Sequence, residues 1–142
     1  MNNIKEMLRI HEGVEKFAYK CSAGKITVGV GRNIDPDNGL GLSDDEIDYL
    51  LANDIQRVAI ELQKSVPAYD SLSDVRKSVL IDMCFNLGIT RFMQFKNFLA
   101  AVESGEFVTA SAEMLDSRWA NQVGQRAQRL SKMMLDDEWP EA

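Results

Sequence analysis

Between residues 9 and 31 the chain reads RIHEGVEKFAYKCSAGKITVGVG. The stretch holds the only histidine, His11, one of the two cysteines, Cys21, and a glutamate, Glu12, set directly before a glycine. Thr27 follows in a strand-like run that ends in two close glycines, Gly29 and Gly31. Glu12 falls at the C-terminal end of a short helical pattern, where unsatisfied carbonyls make the field negative. Such a field disfavours a second negative charge and raises a carboxyl pKa. A glutamate that keeps its proton near neutral pH is what general acid catalysis requires. An isolated Glu-Gly pair is otherwise an ordinary surface glutamate at a helix end. In the second strand Ile26, Val28 and Val30 alternate with Thr27, Gly29 and Gly31. That alternation predicts one apolar, core-facing side and one side bearing a hydroxyl and two bare glycines. Glycine weakens a strand, so two on one side call for a reason, either close approach of a ligand or a bulge or bend. Cys21 lies across the turn from this side. Cysteine is most often a small buried hydrophobe and a strand threonine is ordinary, so periodicity leaves both readings open.

The elements that must position these residues follow from capping and periodicity. Asn3 with Glu6 reads as a capping box for a helix carrying Ile4, Met7, Leu8 and Ile10, with Gly13 as its stop. Residues 17–21 and 26–30 read as strands around the turn SAGK. NIDPDNGLG, residues 33–41, is dense in turn formers and reads as a loop. Ser43 with Glu46 is a second capping box. It opens a long helix with Ile47, Leu50, Leu51, Ile55, Val58 and Leu62 on one stripe, ending near Pro67. Everything after Asp70 reads as helices, and DVRKSVLIDMCFNLG is apolar on nearly all sides toward its end, which predicts a central buried helix. The expected architecture is α+β and mostly helical. A small hairpin part, a long connecting helix and a larger helical bundle would leave a cleft for a ligand.

Length and composition narrow the classes. One domain is the default for 142 residues, with 45% hydrophobic and 27% charged residues, as in a folded globular protein. No apolar run is long enough to span a membrane, and the N-terminal residues lack the apolar core of a secretion signal. Two cysteines, Cys21 and Cys84, are too few for a disulfide framework, and one histidine offers no metal-ligand cluster, so neither metal nor cofactor is expected. A net charge of −6 argues against a nucleic-acid partner.

The segments EMLRIHEG and AYKCSAGKITVGVG resemble the N-terminal motif of phage lysozymes of glycoside hydrolase family twenty-four. The family pattern is Glu, eight residues, Asp or Cys, five residues, Thr, and Glu12, Cys21 and Thr27 meet it. The resemblance continues through YDSLSDVRKSVLIDMCFNLG and SRWANQVGQRAQRL, over nearly the whole chain. It implies a two-lobed single catalytic domain, with a small lobe at about 13–60 and a larger helical lobe made of about 1–12 and 61–142. It implies hydrolysis of the β-1,4 bond between N-acetylmuramic acid and N-acetylglucosamine in peptidoglycan. Glu12 is then the general acid, Cys21 takes the place of the second catalytic carboxylate, and Thr27 helps place the attacking water. Gly29 and Gly31 approach the substrate, Phe85 and Asn86 match a cleft-lining pair, and Arg126 matches an arginine near the general acid. Arg32 stands where a well-known member of the family has a histidine paired with an aspartate of the same lobe. The loop after Gly31 is shorter than in that member, which implies a lower cleft wall. The expected partner is peptidoglycan, acted on by a monomer without a membrane anchor. It would accumulate in the host cytoplasm and reach the wall through a pore made by another protein.

Two other readings remain at this stage. One is a lysozyme-like peptidoglycan-binding protein without turnover, and the other is an acidic helical interaction module. His11 reads as a local hydrogen-bonding residue, Cys84 as core, Met133 and Met134 as packing, and Trp119 and Trp139 as packed rather than stacked on sugars.

Overall fold

The computed structural model describes residues 3–141. The fold is α+β and mostly helical, with eight helices and one three-stranded antiparallel sheet among the described residues. It divides into two compact units, Met1–Leu50 and Leu51–Ala142. The first helix, α1, spans Ile4–Glu12. Asn3 caps it by accepting the Glu6 amide at 3.0 Å, and Gly13, at φ +79°, ends it by donating to the Arg9 carbonyl at 3.0 Å. None of its residues is buried, and Gly13 leads directly into the sheet. Residues 3–12 fall within the first of these units. The division falls at Leu50, inside the long helix that follows the sheet.

Strands β1 (Glu15–Lys20), β2 (Ile26–Gly29) and β3 (Arg32–Asn33) form the sheet in that order. Thr27 lies in the middle strand, opposite Tyr19 on one side and Asn33 on the other. The alternation predicted an apolar core-facing side here, and the structure corrects it. Thr27 is the buried residue, at 4% exposure, while Ile26 and Val28 are half-buried and Val30 is exposed. The sheet has only three short strands, and its centre at Thr27 is the point best covered. Strand β3 was hidden because Asn33 opens a segment rich in turn formers.

Helix α2 (Asp44–Ser65) begins at the second capping box. Glu46 Oε1 accepts from the Ser43 amide at 2.8 Å, and Ser43 Oγ accepts from the Glu46 amide at 3.4 Å. After a short 3-10 turn at Tyr69–Ser71 the second unit is helical: α3 (Asp74–Leu87), α4 (Ile89–Phe92), α5 (Lys96–Glu103), α6 (Phe107–Leu115), α7 (Arg118–Val123) and α8 (Gln125–Asp136). Helix α3 is the central buried helix, with Val75, Val79, Leu80, Met83 and Cys84 in the core. Met133, Met134 and Trp119 are also buried. Phe92 meets Phe98 edge-on at 6.3 Å. Two serines pin α6 to α8. The Ser111 and Ser131 hydroxyls lie 2.6 Å apart, and each bonds the other residue's carbonyl, so both polar groups are satisfied in an apolar setting. Arg76 reaches from α3 to cap the end of α8, donating to the carbonyls of Met134 and Leu135 while its guanidinium lies over the Phe107 ring.

Candidate active site

The small unit carries Glu12, Cys21, Thr27, Gly29 and Gly31. Gly13 breaks α1 immediately after Glu12, which leaves that carboxyl at the helix end. Gly31 lies under it at φ +67°. A Cβ on Gly31 would sit 2.8 Å from Glu12 Oε2 and 3.1 Å from its carboxyl carbon. A side chain at position 31 would have to push the flexible end of Glu12 aside, and the positive φ favours glycine there as well. Gly29 differs, because an added Cβ there would meet nothing within 4 Å. Its demand is conformational, at φ +67°, where β2 ends next to a register shift between Glu15 and Tyr19 of β1.

Cys21 and Thr27 are brought together by the turn that joins their strands. The Cys21 amide donates to the Lys25 carbonyl at 2.9 Å, and the Gly24 amide donates back to the Cys21 carbonyl at 2.8 Å. The Thr27 hydroxyl donates to the same Lys25 carbonyl at 3.0 Å. Glycine at position 24 permits the positive φ that the turn needs. The backbone amide of Lys25, then that of Ala23, holds the Cys21 thiol below the ordinary range, against a smaller opposing effect of burial. The Thr27 hydroxyl acts in the same direction. The sulfur is half-buried and free of any disulfide. Amide donors stabilise a thiolate over a thiol, so this turn raises the fraction of reactive sulfur. Cys84 is the opposite case: it is 2% exposed, and burial together with the nearby Glu61 pushes its thiol up to about 11.

A fork of hydrogen bonds locks the rest of the small unit. Arg32 binds Glu46 with both arms, Nη1 to Oε1 at 2.8 Å and Nη2 to Oε2 at 2.7 Å, and also donates to the Gly41 carbonyl. The position therefore keeps an ion pair within its own unit although it carries a different cation. Arg32 and the Ser43 cap together pull the Glu46 carboxyl down to about 2. Asp35 accepts from the amides of Ile26 and Asp37, first and second in lowering its own pKa, and so ties the loop to the start of β2. Sequence reading found Glu46 only as a cap and read Asp35 only as a turn former. Their second partners lie far off in sequence and leave no local signal.

Phe85, Asn86 and Arg126 belong to the second unit. Phe85 is exposed and stands between two surface hollows of about 340 and 320 Å³. Asn86 accepts from Trp119 Nε1 at 2.9 Å, which ties α7 to α3. Arg126 binds Asp82, from Nε and from Nη2, each at 2.7 Å. The fixing of Arg126 by Asp82 was not anticipated. His11 is exposed on α1. No group of three or more metal-binding side chains occurs among the described residues.

A mostly helical chain with a small sheet, carrying a helix-end glutamate, a turn-held thiol and a buried threonine, fits the class of lysozyme-type hydrolases. The family model for phage lysozyme matches residues 9–133. The chain is 27% identical, over 92% of its length and 92% of the relative's, to "Probable T4-type lysozyme 1" of Dictyostelium discoideum. It is 26% identical to an "Endolysin" of Acyrthosiphon pisum secondary endosymbiont phage 1, over 84% of this chain and 80% of that one. The chain belongs to the phage lysozyme family.

Proposed function

We propose that this chain is an endolysin that hydrolyses the β-1,4 bond between N-acetylmuramic acid and N-acetylglucosamine in bacterial peptidoglycan. Glu12 donates a proton to the leaving oxygen as the bond breaks. A water placed by the Thr27 hydroxyl attacks the sugar carbon, and the Cys21 thiolate takes the proton that this water loses. The observation that carries this reading is the turn at residues 21–25, which sets the Cys21 thiol beside the Lys25 and Ala23 amides and the Thr27 hydroxyl. A cysteine kept for packing alone needs no amide donors at its sulfur. Gly29, Gly31, Phe85, Asn86 and Arg126 contact the glycan in this reading. The protein works as a monomer, accumulates in the host cytoplasm and reaches the wall through a membrane pore formed by another protein. No helix among the described residues is long and apolar enough to cross a membrane.

Release of reducing ends from purified peptidoglycan tests the proposal. The parent should release them, and Glu12→Gln should lose about 10²–10⁴-fold in rate with its melting temperature kept. A parent that binds peptidoglycan but releases nothing would instead be a non-catalytic binding protein. Near-parent rates in Glu12→Gln would remove Glu12 from its role.

A further inference from the structure

The two tryptophans divide sharply. Trp119 is 3% exposed and spends its indole N–H on Asn86. Trp139, just beyond α8, is 61% exposed, and its indole N–H has no partner among the described residues. Sequence reading assigned both to packing, and Trp139 departs from that. It lines a hollow of about 160 Å³ together with Arg129, Lys132, Met133, Asp136 and Glu138. Arg129, Lys132, Asp136 and Glu138 make no ion pair among the described residues, although charges of both signs face one hollow. All these residues belong to the second unit, whereas Glu12, Cys21 and Thr27 belong to the first.

We infer that this hollow is a second glycan-binding site, which holds one N-acetylated sugar ring against the Trp139 indole. The indole offers a flat apolar face for the ring's C–H face and an N–H for one of its oxygens. Sugar hydroxyls both donate and accept, so free carboxylates and free cations together suit them. A site for an anion would need an excess of cations, and here Asp136, Glu138 and Glu141 outnumber Arg129 and Lys132. The chain as a whole carries a net charge of −6, so charge attraction does not hold it on an anionic wall. A neutral sugar contact gives it another grip. The choice of sugar rests on the proposed action on peptidoglycan, whereas the hollow itself does not.

The two indole N–H signals in a proton–nitrogen NMR spectrum test this. The full chain carrying Glu12→Gln, which turns over no substrate in the proposed mechanism, is titrated with the trisaccharide of N-acetylglucosamine. Trp139→Phe assigns the signals. The Trp139 signal should shift in a saturable way, and sodium acetate should leave it in place. Cosedimentation of the Glu12→Gln chain with insoluble peptidoglycan should fall about tenfold when Trp139→Ala is added, the scale of one lost aromatic contact. A trisaccharide that moves only the Trp119 signal, or neither signal, overturns the site. So does a Trp139 signal that answers acetate and not the sugar, or cosedimentation that Trp139→Ala leaves unchanged. A Trp139 signal that shifts in a protein whose parent releases no reducing ends would leave this site standing and sink only the proposed turnover.

Discussion

The two units of this chain are held together by different physics. Every buried hydrophobic side chain among the described residues lies at Leu62 or beyond, whereas in the first unit only Thr27 is buried. The second unit has a continuous apolar core around α3, so its stability scales with area removed from water. The first unit relies on two capped helices, the Arg32–Glu46 fork, the Asp35 ties and the turn at Cys21. Directional polar contacts fix positions without filling volume. The proposed catalytic groups stand on the unit that is fixed this way, which separates what makes the chain stable from what makes its site.

The largest expected effect lies in the second unit. Leu80 is fully buried, and Leu80→Ala should cost about 2–5 kcal/mol in chemical denaturation. Leu40, 81% exposed in the first unit, should change stability by no more than ~0.5 kcal/mol when replaced by alanine. Equal losses at the two positions would break the contrast between the units.

Gly31→Ala is the sharper probe of the first unit. The positive φ makes alanine cost roughly 1–2 kcal/mol. The new Cβ also displaces the Glu12 carboxyl, and a displacement near 1 Å costs about 10²-fold in rate. Lysis should therefore fall much further than the melting temperature. Gly29→Ala should carry a similar strain without the displacement. If both variants lysed walls equally well, the close approach of Glu12 to Gly31 would have no catalytic meaning.

A smaller effect follows from Glu46. Its carboxyl is lowered to about 2 in the folded chain, against an unfolded value of about 4.3. A depressed carboxylate pKa stabilises the fold above the unfolded value, and this contribution is lost as pH falls toward the folded one. The first unit should loosen between about pH 4.5 and 2, seen as faster amide exchange at Arg32 and Ser43. Glu46→Gln should show that exchange already at neutral pH and lose the acid dependence at Arg32 and Ser43, leaving only that of the Asp35 ties at Ile26 and Asp37. An acid transition that persists at Arg32 and Ser43 in the variant would assign it to another carboxylate.

What could be read from the sequence was local. Asn3 with Glu6, and Ser43 with Glu46, announced α1 and α2, because a cap and its helix lie within one turn of chain. The apolar density of residues 74–87 announced the buried α3. Everything after Asp70 read as helices without boundaries between them, and the structure separates α4 from α5 within residues 89–103. Strand β3 escaped because two residues beside a turn-rich loop give no periodicity. Thr27 was placed opposite the buried side because alternation gives a period and not the side that neighbours cover. Long-range partners were illegible for one reason: Arg32 with Glu46, Arg126 with Asp82 and Ser111 with Ser131 meet only once the chain has folded back. The motif residues Glu12, Cys21 and Thr27 were found by family pattern, and the spacing of the chain alone did not single them out.

The central claim is that the Cys21 thiolate serves as the base beside Thr27. The pH dependence of lysis, measured for the parent and for Cys21→Asp, tests it most directly. A base acts only when deprotonated, so, over the range in which the general acid keeps its proton, rate rises as pH rises through the base's pKa. The parent's acid limb should have its midpoint below the ordinary thiol value of about 8.5, because the Lys25 and Ala23 amides lower it. In Cys21→Asp a carboxylate of ordinary pKa about 3.9 replaces it, and the acid limb should move down by several pH units. Superimposable acid limbs in the two proteins would contradict the account, because the group that titrates would then not be Cys21.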